Sequence, residues 1–443
     1  MGIQASCYLC CRRHPPDASS QAESTLNTLS WAKIDMKKTI ALVGTLDTKG
    51  EESLYIKNLI EKNNYQVATI DVGTGWRGRL IFSPDYPRQE VAKAAGSNIE
   101  EIVSLGESGQ ENRMMEIMSN GAIKICMQLY ESGKLNGVVS LGGTMGTTLG
   151  TRVMRALPFG LPKVMLSTIA SGDTRPYIST KDIVMISSIA DIAGLNRITE
   201  ATLRQAAGAV MGMTAVAEVK TSEKPLIGIT TLGGTTNCAL LVKKKLEGRG
   251  YETVIFHTNG CGGRAMEEMI EQGLIQGVFD LSTNEVVDHL YHGWSDAGPI
   301  RLEVAGRKGI PQLIAPGNID HIIYGSPDKI PERFKHQYIH VHGTGIYVLR
   351  TKRNEMIEVA RAMAENINNA KGKTAVIFPL QGLSILDRVD KEFEDPEANF
   401  AFFETLKRNL KPEVKVKEVN AHITDTLFAD EAAEMLYELV KEQ

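Results

Sequence analysis

Short apolar, β-branched runs alternate along this chain with longer stretches whose apolar positions recur every three to four residues. TIALVG (39–44) is followed by a polar loop, an amphipathic stretch through 57–62 and a second run, QVATID (66–71). GVVSL (137–141), KVMLS (163–167) and the run 183–189 continue the series. PLIGIT (225–230), ETVIFH (252–257), GVFDL (277–281), QLIAP (312–316) and VKVKEV (414–419) repeat it. Continuous apolar strands separated by helices are the βαβ signature of a parallel sheet covered on both faces. Each crossover is right-handed. The pattern predicts an α/β protein of two Rossmann-like, doubly wound parallel-sheet subdomains.

The two subdomains carry one pattern. Residues 225–257 match 39–71 at an offset of 186, with Tyr251 on Tyr65, whereas GVFDL matches GVVSL at an offset of 140. The first half therefore holds 46 more residues between these strands, the difference of the two offsets. A helix over 199–218 is expected to close it, and KTSEKP (220–225) reads as a polar connector. Ala432, Met435, Leu436 and Leu439 predict a C-terminal helix over 430–441. Residues 1–35 show no sustained periodicity and contain PPDASS (15–20), so they read as a disordered extension. The expected division is 1–35, 36–219 and 220–443.

Composition narrows the class. Of 443 residues, 42% are hydrophobic and 23% charged, enough for two cores without disulfides or metals. A net charge of -4 argues against a nucleic-acid partner. The longest apolar-leaning tract, 206–219, is broken by glycines and falls short of the roughly 20 residues of a membrane span. Cys7, Cys10 and Cys11 lie in the N-terminal tail, without a second ligand pair for zinc. Cys126, Cys238 and Cys261 are scattered singly, which suits a reducing, cytoplasmic setting.

Doubly wound sheets bind ligands beyond the C-terminal ends of their strands, so the loops there carry the candidate chemistry. In GTLDTKG (44–50), Thr45, Asp47, Thr48 and Lys49 suit a phosphate and its divalent cation at a helix N-terminus; a capped βα turn would look the same. Glycine and lysine are in the wrong order for a Walker A loop. SLGGTMGTT (140–148) is the strongest anion cradle, with Gly142, Gly143, Thr144, Met145, Gly146 and Thr147. STIASGD (167–173) adds Ser171 and Asp173. GTGWRG (73–78) matches the dinucleotide fingerprint but runs into RLIFSP, which is not helical, so that reading is rejected.

The second half offers matching loops. Gly233, Gly234 and Thr235 follow its first strand; Gly260, Gly262, Gly263 and Arg264 follow its second and suggest a second site for a small anion. Cys261 reads either as an activated thiol or as filler in a close-packed turn. Eight of the 9 histidines lie after residue 250. His422 with Asp425, and His257 and Arg264, are the candidate catalytic groups, the first pair for general acid–base work. No H-x-x-x-H spacing supports a metal.

GTLDTKGEE (44–52), SLGGTMGTT, STIASGD, DIAGLN (191–196), HTNGCGGRAMEEMI (257–270), DAGPIRL (296–302), DPEANFAFFETL (395–406) and HITDTLFA (422–429) together resemble the ATP-binding domain family typified by the tomato mosaic virus resistance protein. The resemblance runs from Met36 to the end. It implies two Rossmann-like subdomains, a homodimer, and ATP, with or without Mg2+, in the first subdomain at Thr45, Asp47, Thr48, Lys49 and the Gly142 to Thr147 loop. The expectation is a nucleotide-binding protein. The alternative is a hydrolase or group-transfer enzyme acting on a small carboxylate or phosphorylated substrate between the subdomains.

Overall fold

The computed structural model describes residues 37–74, 80–216 and 222–441. The N-terminal extension and most of GTGWRG lie outside the described residues.

In the first half, β1 (Thr39–Gly44) leads to α1 (Gly50–Lys62) and β2 (Gln66–Asp71). Three helices follow: α2 (Arg88–Ala94), α3 (Ile99–Glu107) and α4 (Glu111–Glu131). Then come β3 (Gly137–Gly142), α5 (Thr144–Ala156), β4 (Lys163–Ser167), the single turn α6 (Arg175–Ile178), β5 (Val184–Ser187) and α7 (Arg197–Val216). The sheet order is β2-β1-β3-β4-β5, every pair parallel. Alternation along β1 splits its side chains between two cores. Ile40 and Leu42 pack with α1 and α7 through Ile56, Ile60, Leu203 and Val210. Ala41 and Val43 pack with α2, α4 and α5 through Val91, Met118 and Val153. Both faces are thus covered, as uninterrupted apolar strands require.

The second half opens with β6 (Leu226–Thr231), α8 (Thr236–Glu247), β7 (Glu252–His257), α9 (Gly262–Glu271), β8 (Gly277–Ser282), α10 (Asn284–Tyr291) and α11 (Val304–Lys308). It continues with β9 (Gln312–Gly317), β10 (His321–Tyr324), β11 (Ile339–Val341), β12 (Tyr347–Arg350) and α12 (Arg353–Ile367). It ends with β13 (Thr374–Pro379), α13 (Pro396–Asn409), β14 (Lys415–Val419) and α14 (Thr426–Val440). Its main sheet is β14-β13-β9-β8-β6-β7, again all parallel. The order β7-β6-β8-β9 mirrors β2-β1-β3-β4. The additional residues of the first half are α2, α3 and α4, where the second half has α9 alone between the equivalent strands. A small antiparallel sheet, β10-β12-β11, has no counterpart among the described residues of the first half. The C-terminal helix starts at Thr426, earlier than its apolar spacing indicates, because Phe428 and Ala429 are also buried.

A buried arginine organises the C-terminal ends of the second sheet. Arg301 is fully buried and faces three carboxylates. Its Nε donates to Glu285 at the start of α10 at 2.8 Å, its Nη1 to Glu267 of α9 at 3.3 Å, and its Nη2 to Asp280 of β8. The free oxygen of Glu285 accepts the amides of Gly260 and Gly263 at 3.0 and 3.2 Å. A Cβ on Gly263 would stand 1.9 Å from Glu285, so only glycine fits there.

One guanidinium cannot neutralise three buried acids. Burial, with Asp280 and Glu285 nearby, pushes Glu267 up to about 7, although Arg301 pulls the other way. The folded protein therefore holds this proton over a range where the unfolded chain has lost it, and stability falls as pH rises from about 4.5 through about 7. Glu267→Gln is expected to flatten that fall, by up to about 1.4 kcal/mol per pH unit, in urea titrations at pH 5 to 8. Arg301→Met strands the acids without a cation and should cost about 3–5 kcal/mol at pH 7 in the same titration.

Candidate functional site

In the first sheet the strand order reverses between β1 and β3, which sends α1 and α5 to opposite faces and leaves a crevice at the C-terminal edge. A pocket of about 280 Å³ sits there. Its walls are Thr45, Asp47, Thr48 and Lys49 from the β1–α1 loop, Gly142 to Gly146 from the β3–α5 loop, and Thr74 and Leu149. Two loops separated by about a hundred positions are joined in one site because their strands are neighbours.

The β1–α1 loop is a closed turn. The amides of Thr48 and Lys49 both bond to the Thr45 carbonyl, and the hydroxyls of Thr45 and Thr48 share a hydrogen bond of 3.0 Å. Lys49 Nζ donates to the Ile192 carbonyl, and buried Glu52 accepts the Gly194 amide at 2.7 Å. The DIAGLN segment is thereby latched onto the start of α1.

The β3–α5 loop is open. Gly143 stands at the N-cap of α5, and no side chain caps this helix. The first amides of a helix have no carbonyl in a preceding turn to bond, so those of Thr144, Met145 and Gly146 face the pocket mouth. Asn98 caps α3 and Asp395 caps α13, whereas α1, α8 and α9, like α5, have no side-chain cap. What sets α5 apart is the run Gly142-Gly143 before it and the pocket in front of it, an arrangement suited to an anion.

Asp71 ends β2 behind the β1–α1 loop and is fully buried. One oxygen accepts the amides of Gly73 at 2.8 Å and Leu46 at 3.2 Å. Among the described residues its other oxygen has no hydrogen-bond partner. Burial pushes its pKa up, against the pull of those two amides. A Cβ on Gly73 would lie 2.6 Å from Asp47 Oδ1 and 2.8 Å from Asp71 Oδ1, so the two carboxylates flank one point. Magnesium is typically held by one or two carboxylates together with phosphate oxygens; Asp47 lines the pocket, with Arg88 3.8 Å from its Oδ2, and Asp71 flanks the same point from behind.

Not every anticipated residue joins the pocket. Thr147 is buried, its hydroxyl shared with Ser167 at 2.7 Å, so it braces the loop from behind. Ser171 and Asp173 are exposed and do not line the pocket; Asp173 instead accepts the Arg175 amide at 3.1 Å. Conversely, Leu149 lines the pocket outside every loop motif, Thr74 does so from the rejected GTGWRG stretch, and Asp71 supports the β1–α1 loop from behind. An acid closing a buried parallel strand was the available signal for Asp71.

In the second half packing explains the loop glycines except Gly233, which is exposed with open space where a Cβ would stand. Gly233–Thr235 form a 3-10 turn, and a Cβ on Gly234 would meet Asn318 at 2.8 Å. The Thr235 hydroxyl is spent on Ser282 and Thr231. Gly260 and Gly263 are pinned by Glu285, and a Cβ on Gly262 would strike the His257 carbonyl. His257 itself is exposed at the end of β7. Only Arg264 reaches outward, donating to Ser179 of the first half at 2.8 Å.

The expected His422–Asp425 acid–base pair is not formed. His422 is buried; its Nε2 donates to the carbonyls of Ser384 at 3.0 Å and Asp387 at 3.2 Å, and its Nδ1 meets the Thr424 hydroxyl at 2.7 Å. Burial and nearby Arg388 lower its pKa, keeping the ring neutral. Asp425 instead accepts the His422 amide and pairs with Arg388 at 2.8 Å. Both groups hold the turn before α14.

Residues 38–219 match the N-terminal domain, and residues 224–440 the C-terminal domain, of an uncharacterised protein family, UPF0261. The chain belongs to this family. A UPF0261 protein of Clostridium tetani is 42% identical over 409 residues, covering 92% of this chain and 100% of that protein. A UPF0261 protein of Brucella suis is 35% identical, covering 89% and 93%. The ToMV resistance protein Tm-1(GCR237) of Solanum lycopersicum is 32% identical over 418 residues, 90% of this chain but 55% of the tomato protein. Among solved structures, Acinetobacter baumannii MurG is similar at 10% identity over 92% of this chain and all of that one, with a TM-score of 0.19, too loose a likeness to inform function. Among the described residues, no helix is long and apolar enough to cross a membrane.

The latch at the pocket wall is directly testable. Glu52→Ala leaves the Gly194 amide without its acceptor and should cost about 1–3 kcal/mol in urea unfolding. Hydrogen exchange at Gly194 is expected to quicken at the same time.

Proposed function

We propose that the protein binds a nucleotide, ATP with Mg2+, in the first-half pocket. The observation that carries this is the pocket that joins the glycine-led start of α5 to the β1–α1 loop, with buried Asp71 behind that loop. A phosphate supplies the negative charge that the helix start favours. The cation answers the Asp71 and Asp47 carboxylates, which would otherwise repel that phosphate. On this reading the Gly143 to Gly146 amides hold phosphate oxygens, Asp71 and Asp47 hold the cation, and Thr45 and Thr48 donate from the facing loop. Lys49 fixes the wall through Ile192. The cation's chemistry here is charge neutralisation of the phosphates. The family resemblance supports ATP in particular, and from it the reading also takes a homodimer; the scattered single cysteines support a cytoplasmic setting. The proposal concerns binding; the second-half histidine and aspartate, held in a turn, lend no support to hydrolysis or group transfer.

Thermal and urea stability in the presence of ATP, ADP, GTP and NAD, with and without Mg2+, test it. At 100 times its dissociation constant, ATP with Mg2+ should add about 2.7 kcal/mol. Gly143→Val should abolish this gain without harming the fold, because a Cβ there meets nothing closer than Thr168 at 3.8 Å. No gain with any nucleotide would refute the assignment. Asp71→Asn should remove the Mg2+-dependent part of that gain, read in the same titrations.

A further inference from the structure

The two halves meet at a second, larger cavity of about 570 Å³ that the nucleotide reading does not use. The first half contributes α6 and the turn after it, and the second half the β7–α9 loop. The turn is clasped to α9: the Thr180 hydroxyl reaches both oxygens of Glu268, at 2.7 and 2.8 Å, and Lys181 pairs with the same carboxylate.

Three arginines line this cavity: Arg155 and Arg175 from the first half, Arg264 from the second. Arg155 donates to the Tyr177 carbonyl at 3.0 Å, and Arg264 to the Ser179 hydroxyl at 2.8 Å. Both partners are neutral. Among the described residues, neither arginine has a carboxylate within ion-pairing distance. Burial and nearby Arg152 push Arg155 below its ordinary value, the direction expected of a cation without a counter-charge. Arg175 has only a marginal contact with Asp173 at 3.5 Å, and its guanidinium lies 5.6 Å from the Trp294 ring centre. The acid on the wall, Asp296, is already engaged by His289 at 2.9 Å and the Gly298 amide at 2.7 Å. Ser179, which Arg264 holds, has φ of 54° and ψ of -117°, a backbone state that costs a non-glycine residue about 1–3 kcal/mol.

We propose that this inter-half cavity binds a small multivalent anion, held by Arg155, Arg175 and Arg264 together and lying against the face of Trp294. Guanidinium forks match the oxygens of phosphate and carboxylate groups in pairs, so a phosphorylated or polycarboxylate metabolite is the ligand class. Such a ligand touches both halves at once. It is separate from the nucleotide and does not depend on that assignment.

Pyrophosphate and citrate serve as the two probes, titrated into full-length protein carrying Trp31→Phe and Trp76→Phe, so that Trp294 alone of the 3 tryptophans reports. Fluorescence and calorimetry are recorded in parallel, against potassium chloride of matched ionic strength. A saturable response to at least one probe is expected, with a dissociation constant below 1 mM (about -4 kcal/mol). The responding probe tells phosphate from carboxylate. Arg264→Gln and Arg175→Gln should each weaken it at least tenfold; Arg175 is exposed, so its variant keeps the fold. Gly143→Val should leave it unchanged. Silence with both probes in both measurements, a response that chloride reproduces, or undiminished binding in the Arg175 variant overturns the proposal. So does loss of binding in Gly143→Val, which would put the anion in the first-half pocket.

Discussion

Arg301 holds three acids of three different elements at one buried point, and the shape of the second half's upper edge follows from it. Glu267, Asp280 and Glu285 come from a helix, a strand and a helix start that follow one another directly in the chain. Glu285 passes the constraint on to the backbone of Gly260 and Gly263. That loop in turn presents Arg264 toward the other half. A buried arginine with excess acid is a poor source of raw stability, since each charge gives up its hydration. Its effect is geometric: it permits one arrangement of the β7–α9 loop and penalises the rest.

The halves share a strand order but have put it to different uses. In the first, the crossover at β1 and β3 leaves a helix start uncapped and an acid half-satisfied. In the second, the equivalent edge is filled: Thr235, Ser282 and Asn318 bond to one another where an opening would otherwise lie. Glycine has opposite meanings in the two places. At Gly143 there is room for a side chain that is not present, whereas at Gly263 and Gly234 the neighbours already occupy that room.

Much of this was legible in the pattern of residues. The offsets of 186 and 140 located the matching strands of both sheets and the place of the inserted segment, because buried parallel strands leave long apolar runs that periodicity detects. The small antiparallel sheet was missed, as strands of three and four residues give no such signal. Loop motifs found the walls of the pocket but not the acid behind them, since Asp71 reads as the last position of a strand. Ser171 and Asp173 were drawn toward the pocket by adjacency to β4, but the chain turns away after Thr168. The His422–Asp425 spacing suggested a dyad, yet three residues also close a turn, and the turn took both.

The clasp of Thr180 and Lys181 on Glu268 lies partly in solvent, unlike the arginine cluster behind it. Its charges touch, well inside the Debye length of about 8 Å at physiological strength, so dissolved salt weakens it only in part. This contact between the halves thus rests on half-exposed charge, whereas the loop that carries Arg264 beside it is held from within by buried charge.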